Sequence, residues 1–244
     1  ALPVQRVGKQ EAIQLLRKAL DGGINYFDIA PSYGNGEEQL GKSLKPYRKN
    51  VYLACKTLER TREGALKEIT RSLSLLHTEW FDLFQLHSMT TPEDVDTAFG
   101  PGGAMEVLRT LKEQGVIRKL GFSAHSEYAA LRCLELYDFD TVLFPTSYQL
   151  DMHEGIGRSL KAQKQQKGFG LLGMKSLIDR AWKNESERKA SVYPKSWCKP
   201  FSAEEGDLRL AGMKYAVQFM GADVLVPPGN FECYQFMMEH VQQA

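Results

Sequence analysis

Seven short apolar runs alternate with amphipathic stretches along this chain, and that alternation constrains its fold more than any other feature. The runs lie at 24–28, 51–55, 82–86, 117–122, 141–144, 168–174 and 224–226. Between them, apolar residues recur at three- and four-residue steps: Ile13, Leu16 and Leu20 within 10–20, and Leu66, Ile69, Leu73 and Leu76 within 63–76. That period gives a helix one apolar face, so both segments read as helices packed on a core. Further helices are predicted at 37–44, 104–114, 128–137, 159–167 and 208–220, and a last one from Phe231. Asp21-Gly22-Gly23 stops the first helix and Pro46 the second. Strands separated by helices pair in parallel, because a parallel neighbour needs a crossover connection.

The first four strand ends, at Asp28, Lys56, His87 and Ser123, are 28, 31 and 36 residues apart, which suits βα units in series. A (β/α)8 TIM barrel needs eight strands, and this chain, which begins without a Met, reaches a helix before its first strand. The expectation is a single barrel domain over 1–244, with the first strand lying upstream of residue 1. An open doubly wound sheet is the competing architecture, but no glycine-rich dinucleotide fingerprint follows an early strand. Segments 88–103 and 178–200 read as a long loop and an irregular basic stretch.

With 43% hydrophobic residues in 244, the chain can bury a sizeable core. Its 31 basic and 30 acidic residues leave a charge of +1, so neither nucleic acid nor an anionic membrane surface is an expected partner. No run approaches the roughly 18 apolar residues of a spanning helix, and no signal-type segment opens the chain. Cys55, Cys133, Cys198 and Cys233 show no C-x-x-C spacing. They read as free thiols of a cytoplasmic protein rather than disulfides or metal ligands.

In a (β/α)8 barrel, polar residues at the C-terminal strand ends converge on the catalytic mouth. Asp28, Lys56, His87 and Ser123 occupy such positions, and Tyr33 lies on the loop after the first. A lone His there is more often structural, and a lone Asp is often a helix cap. A lysine directly after Leu53-Ala54-Cys55 is harder to dismiss, since a charge leaving an apolar strand needs a partner. Asp28 can supply it.

The segment Gly23-Ile-Asn-Tyr-Phe-Asp28-Ile-Ala-Pro-Ser-Tyr33-Gly34, with Glu37 and Leu40-Gly41, resembles the aldo-keto reductase family. It fills that family's D-x-A-x-x-Y-G-x-x-E-x-x-L-G pattern without a gap. Lys56, His87 (within Asp82-Leu-Phe-Gln-Leu-His87) and Gly121-Phe-Ser123 match the family's following strand ends. The likeness runs from about Gln10 to the C-terminus and weakens after Pro145. It implies hydride transfer between a nicotinamide cofactor and the carbonyl carbon of a small aldehyde, ketone or sugar-like substrate. Tyr33 would be the general acid, and an unperturbed phenol near pKa 10 is sluggish at neutral pH. Lys56 would lower that pKa, Asp28 would hold Lys56 charged, and His87 would orient the carbonyl.

Departures from the family pattern concentrate on the cofactor side. Ala124 and His125 follow Ser123 where the family usually has Asn. Pro145 stands where a glutamine usually grips the carboxamide, and Met174 where an aromatic usually stacks on the nicotinamide. A polarizable thioether can also cover a flat ring. The resemblance assigns cofactor contacts to Ser123, Met174, Lys175, Gly229 and Asn230. After the last strand, Val226-Pro-Pro-Gly229-Asn230-Phe231-Glu232 lacks the Lys and Arg with which NADP-preferring members hold the 2′-phosphate. NADP is the expected cofactor and NAD the alternative, with Lys175 or Lys195 as a substitute cation. Residues 183–199, with Trp182, Tyr193 and Trp197, read as a solvated cover, or as a lid over the cofactor phosphates. Met89, His125, Met152 and His153 read as loop surface or packing, with substrate contact as the sharper alternative. Two other functions fit the same residues: a cofactor-binding sensor or regulatory subunit with little turnover, and an isomerase or lyase using Lys56 as a Schiff-base amine.

Overall fold

A computed structural model describes residues 8–194 and 196–244. Lys195 lies outside the described residues. The chain divides into two compact units, one ending at Val142 and the other running from Leu143 to Ala244.

The first unit opens on α1 (Lys9–Asp21), which buries Ala12, Leu16 and Ala19 along one face. Gly23 ends the turn that follows at φ +84°, a conformation that glycine adopts without a Cβ penalty. Next come β1 (Tyr26–Asp28), α2 (Gly36–Leu44) and β2 (Tyr52–Thr57). Pro46 ends α2 as its position predicts, yet the chain keeps coiling as a 3₁₀ helix over Lys45–Asn50. Proline in a first turn gives up only an N–H that has no intrahelical partner there. α3 (Arg62–Leu75), β3 (Phe81–Met89), α4 (Pro92–Phe99), α5 (Ala104–Glu113), β4 (Ile117–Ala124) and α6 (Glu127–Leu136) complete the unit. Strand pairs β1–β2, β2–β3 and β3–β4 are all parallel. Residues 81–86 of β3 are buried on both faces, which is why that strand reads as a continuous apolar run.

Part of the predicted loop over 88–103 is helical. Thr91 and Asp94 form a capping box at the start of α4, with Pro92 in its first turn. β3 also runs to Met89, with a register shift between Leu86 and Met89. At the start of β3, Asp82 accepts from Arg118 (2.8 Å) and from the Leu53 amide (3.0 Å), and pairs with Arg48 at 2.8 Å. The Arg48 and Arg118 guanidinium groups lie 4.3 and 5.0 Å from the Trp80 ring centroid.

α2 approaches the end of α3 so closely that a Cβ on Gly41 would lie 2.2 Å from the Leu75 carbonyl oxygen. The obstacle is backbone and cannot swing away. Gly41→Ala is therefore expected to destabilise the protein by about 1–3 kcal/mol, read as a lowered urea midpoint. An unchanged midpoint would show that this contact is loose.

β5 (Thr141–Pro145) crosses the boundary into the second unit. That unit holds α7 (Tyr148–Glu154), α8 (Arg158–Lys167) and β6 (Gly170–Met174). The basic stretch is more ordered than its composition suggests. β7 (Ile178–Arg180) pairs antiparallel with β8 (Lys199–Pro200), and α9 (Glu185–Ala190) lies between them, capped by Asn184. The wholly buried Arg209 donates to the Phe201 carbonyl (2.7 Å) and the Tyr193 hydroxyl (2.9 Å) and pairs with Glu232. Trp182 Nε1–H donates to Ser196 O at 2.9 Å. α10 (Gly206–Lys214) passes into a π turn at Tyr215–Phe219; β9 (Val224–Val226) and α11 (Phe231–His240) close the chain. β9 pairs parallel with β6, Met174 opposite Val226.

All seven predicted strands are present, and every defined register among them is parallel, the α/β arrangement of a (β/α)8 barrel. Among the described residues, no helix is long and apolar enough to cross a membrane.

Candidate active site

β1 and β2 carry Asp28 and Lys56 to their ends, and the two side chains form an ion pair whose members are 3% and 0% exposed. Lys56 Nζ also donates to the Ile29 carbonyl at 3.4 Å. Gln85, wholly buried in β3, donates through Nε2 to the other Asp28 oxygen at 3.4 Å. The Tyr33 ring centroid is 5.1 Å from Lys56 Nζ, and its ring meets the His87 imidazole edge-on at 5.8 Å. The four residues that the sequence singled out are thus assembled in one unit.

The rest of the motif supports this assembly. Gly34 takes φ +61° directly after Tyr33, and the Tyr33 backbone carbonyl accepts the Gly36 amide at 3.1 Å. Glu37 is buried and accepts the Cys55 thiol at 3.8 Å, and Leu40 is core. Ala30 is fully buried as well, so each motif position has a local physical reason.

Burial and charge compete at each titratable group. For Lys56 desolvation pulls the pKa down, but the negative charge of Asp28 and the Tyr33 phenol outweigh it, and the amine stays a cation. A buried ammonium held by a carboxylate is a poor Schiff-base nucleophile, so the lyase alternative loses support. Burial raises the Tyr33 pKa more than Lys56 lowers it, so the net shift is upward. This corrects the expected direction: Lys56 offsets a desolvation penalty rather than producing an acidic phenol.

His87 is pushed down to about 3, by burial first and by the Lys56 charge second. It is neutral at physiological pH, and its Nδ1 is buried without a hydrogen-bond partner. The depressed folded-state pKa has a stability consequence. His87 takes up a proton readily in the unfolded chain but not in the fold, so stability falls as pH drops from about 6.5 toward 3. The slope attributable to this residue is at most about 1.4 kcal/mol per pH unit. His87→Gln should flatten that limb of the urea-midpoint profile; an identical acid limb would refute the assignment.

Ser123, at the end of β4, is committed in part, since its Oγ accepts the Ser88 amide at 2.7 Å. Met89 is buried, whereas His125, Met152 and His153 are exposed. Three residues at this end of the unit escaped the sequence reading. Gln85 was hidden within an apolar run, although a polar residue inside a strand buried on both faces is itself a signal. Arg60 and Asp94 pair at 2.9 Å across 34 residues, a contact with no local trace.

Met174, Lys175, Gly229 and Asn230 belong to the second unit. The register of β6 and β9 brings the first two and the Val226–Asn230 turn to the same end of that strand pair. Lys175 adopts φ +65°. Asn230 Oδ1 accepts the Glu232 and Cys233 amides, so that oxygen caps α11. The hydroxyls of Ser147 and Ser176, just beyond β5 and β6, are buried and unpartnered.

The aldo/keto reductase family model matches residues 2–201, and the chain belongs to that family. The aldo-keto reductase YhdN of Bacillus subtilis is 33% identical over 132 residues, 48% of this chain and 38% of that protein. The chain covers 38 to 43% of the length of YhdN and two comparable curated relatives. An aldo-keto reductase structure from Pseudomonas aeruginosa superposes with a TM-score of 0.74 at 22% identity, covering 98% of this chain and 83% of that one. Another from Klebsiella pneumoniae, in complex with NADPH, gives 0.59 at 20% identity over 72% of this chain and 61% of that one. These likenesses carry the barrel fold.

Proposed function

We propose that the protein reduces the carbonyl of a small aldehyde, ketone or sugar-like molecule to an alcohol, with NADPH as hydride source and Tyr33 as proton donor. The observation that carries this reading is the buried Lys56–Asp28 pair set beside Tyr33, with a neutral His87 edge-on to the same phenol.

The side chains fit such a cofactor. Ser147 and Ser176 offer unspent buried hydroxyls, and Lys175 a cation at the end of β6. In the second unit Met174, Lys175, Gly229 and Asn230 are the proposed contacts; in the first, Ser123. NADPH held by these residues would supply the hydride for the carbonyl carbon. As negative charge develops on the carbonyl oxygen, Tyr33 donates its phenolic proton there and becomes a phenolate. Lys56, fixed as an ammonium by Asp28, stabilises that phenolate at close range in a water-poor site. His87, uncharged, has a ring nitrogen free to hydrogen-bond the substrate oxygen and aim it at Tyr33. Tyr33 then recovers a proton from solvent. Four free thiols accord with the proposed cytoplasmic location.

The test is NADPH consumption by the purified protein across a panel of aldehydes, ketones and aldoses, alongside dissociation constants for NADPH and NADH. Turnover with tighter NADPH binding is the expected result. Tight binding without turnover on any carbonyl would favour the sensor reading, and equal affinities would remove the preference for NADP.

A further inference from the structure

His87 is held in an unusual way. Among the described residues its Nδ1 makes no hydrogen bond, and its ring meets that of Tyr33 in a T-shaped contact, which leaves the imidazole without a polar anchor at that nitrogen. Much of its orientation is therefore set by the backbone that carries it. That backbone is strained: the register of β3 shifts between Leu86 and Met89, and Ser88 sits at φ +58°, a left-handed conformation costly for a side chain with a Cβ. Strain of this kind persists only where the surroundings enforce it.

Three side chains hold this backbone: Thr90 Oγ1 donates to the Ser88 carbonyl at 2.9 Å, Ser123 accepts the Ser88 amide, and Arg60 reaches furthest. Its Nη2 donates to the carbonyls of His87 (2.7 Å) and of the strained Ser88 (3.2 Å). Its Nη1 donates to those of Leu58 (3.2 Å) and Thr57 (3.5 Å), just beyond Lys56. Its Nε donates to Asp94 at 2.9 Å. Asp94 in turn accepts the Thr90 and Thr91 amides at 3.1 Å each, and its own amide closes the capping box of α4. Ser123 takes the Ser88 amide from the other side. One planar fork thus ties the end of the Lys56 strand to the end of the His87 strand, and a helix cap holds the fork. An ammonium, a single point donor on a flexible stem, could not span these acceptors.

We propose that Arg60, oriented by Asp94, is the positioning residue for His87: it sets the imidazole through the backbone without touching substrate. The inference rests on the carbonyl-reductase reading for its catalytic consequence, but not for its structural one.

The experiment compares full-length wild type with Arg60→Lys, Arg60→Met and Asp94→Asn. Arg118→Met serves as a control that breaks a surface ion pair to Asp82 at the other end of β3. Carbonyl kcat and KM, NADPH affinity and the ¹⁵N-detected imidazole signals of His87, assigned by their loss in His87→Gln, are measured for each. Both Arg60 variants should shift or broaden the His87 signals and lower kcat/KM roughly 10–100-fold with NADPH affinity unchanged. Arg60→Lys should be the milder, and Arg118→Met should leave the His87 signals alone. Wild-type His87 signals and kcat/KM in a folded Arg60→Met protein would overturn the proposal. If Arg60→Met does not fold, the same result in Arg60→Lys and Asp94→Asn overturns it. If the wild type reduces no carbonyl, the reductase reading fails, and unmoved His87 signals still refute the brace while shifted ones uphold it.

Discussion

Tyr33→Phe is expected to lower kcat by roughly 10²–10⁴-fold while leaving NADPH affinity unchanged. The substitution removes one oxygen and keeps the ring that packs edge-on against His87. Pre-steady-state hydride transfer followed by absorbance would show the chemical step slowed, not the binding step. Because burial raises the Tyr33 pKa, the phenol is the dominant form at neutral pH, and the wild type has its proton in place to give. Turnover should therefore decline only as the pH becomes alkaline. A variant with wild-type kcat would remove Tyr33 from the chemistry.

Lys56→Met should be more damaging, because it acts on both stability and activity. The lysine is wholly buried, and its loss strands Asp28 as an unpaired carboxylate in the interior. Removing one member of a buried pair costs about 3–5 kcal/mol, which chemical denaturation would register. The double variant Asp28→Leu with Lys56→Met replaces the pair with apolar volume and should recover much of that loss. It should recover no activity, since no cation then supports the Tyr33 phenolate. Stability regained without turnover would separate the two roles of the pair; turnover regained in the double variant would refute the catalytic one.

The site and the scaffold were legible in the sequence to different depths. Asp28, Lys56 and His87 could be placed because each ends an apolar run, and a barrel converts strand ends into neighbours. Tyr33 followed from its position in the motif. The direction of its pKa did not, because burial and the Lys56 charge oppose each other and only a structure ranks them. α4 was missed although Thr91-Pro92-Glu93-Asp94 carries the signature of a capped helix start. The order within 178–200 was hidden for another reason. It depends on Arg209 reaching Tyr193, Phe201 and Glu232, contacts between residues 8 to 23 positions apart that leave no periodicity to read. Arg60 was invisible on the same grounds: its acceptors are carbonyls, which every residue has.

The Trp80 ring, with the guanidinium groups of Arg48 and Arg118 close to it, gives the first unit an optical label of its own. The chain has three tryptophans, and the other two, Trp182 and Trp197, belong to the second unit. Trp197 is 84% exposed and open to a collisional quencher such as acrylamide, whereas Trp80 is half-buried with its indole nitrogen enclosed. Emission that survives quenching is thus weighted toward Trp80 and the half-buried Trp182, and Trp182→Phe would leave Trp80 as its main source. A denaturant titration read through that residual emission, and again through the quenchable fraction, would follow each unit by its own light.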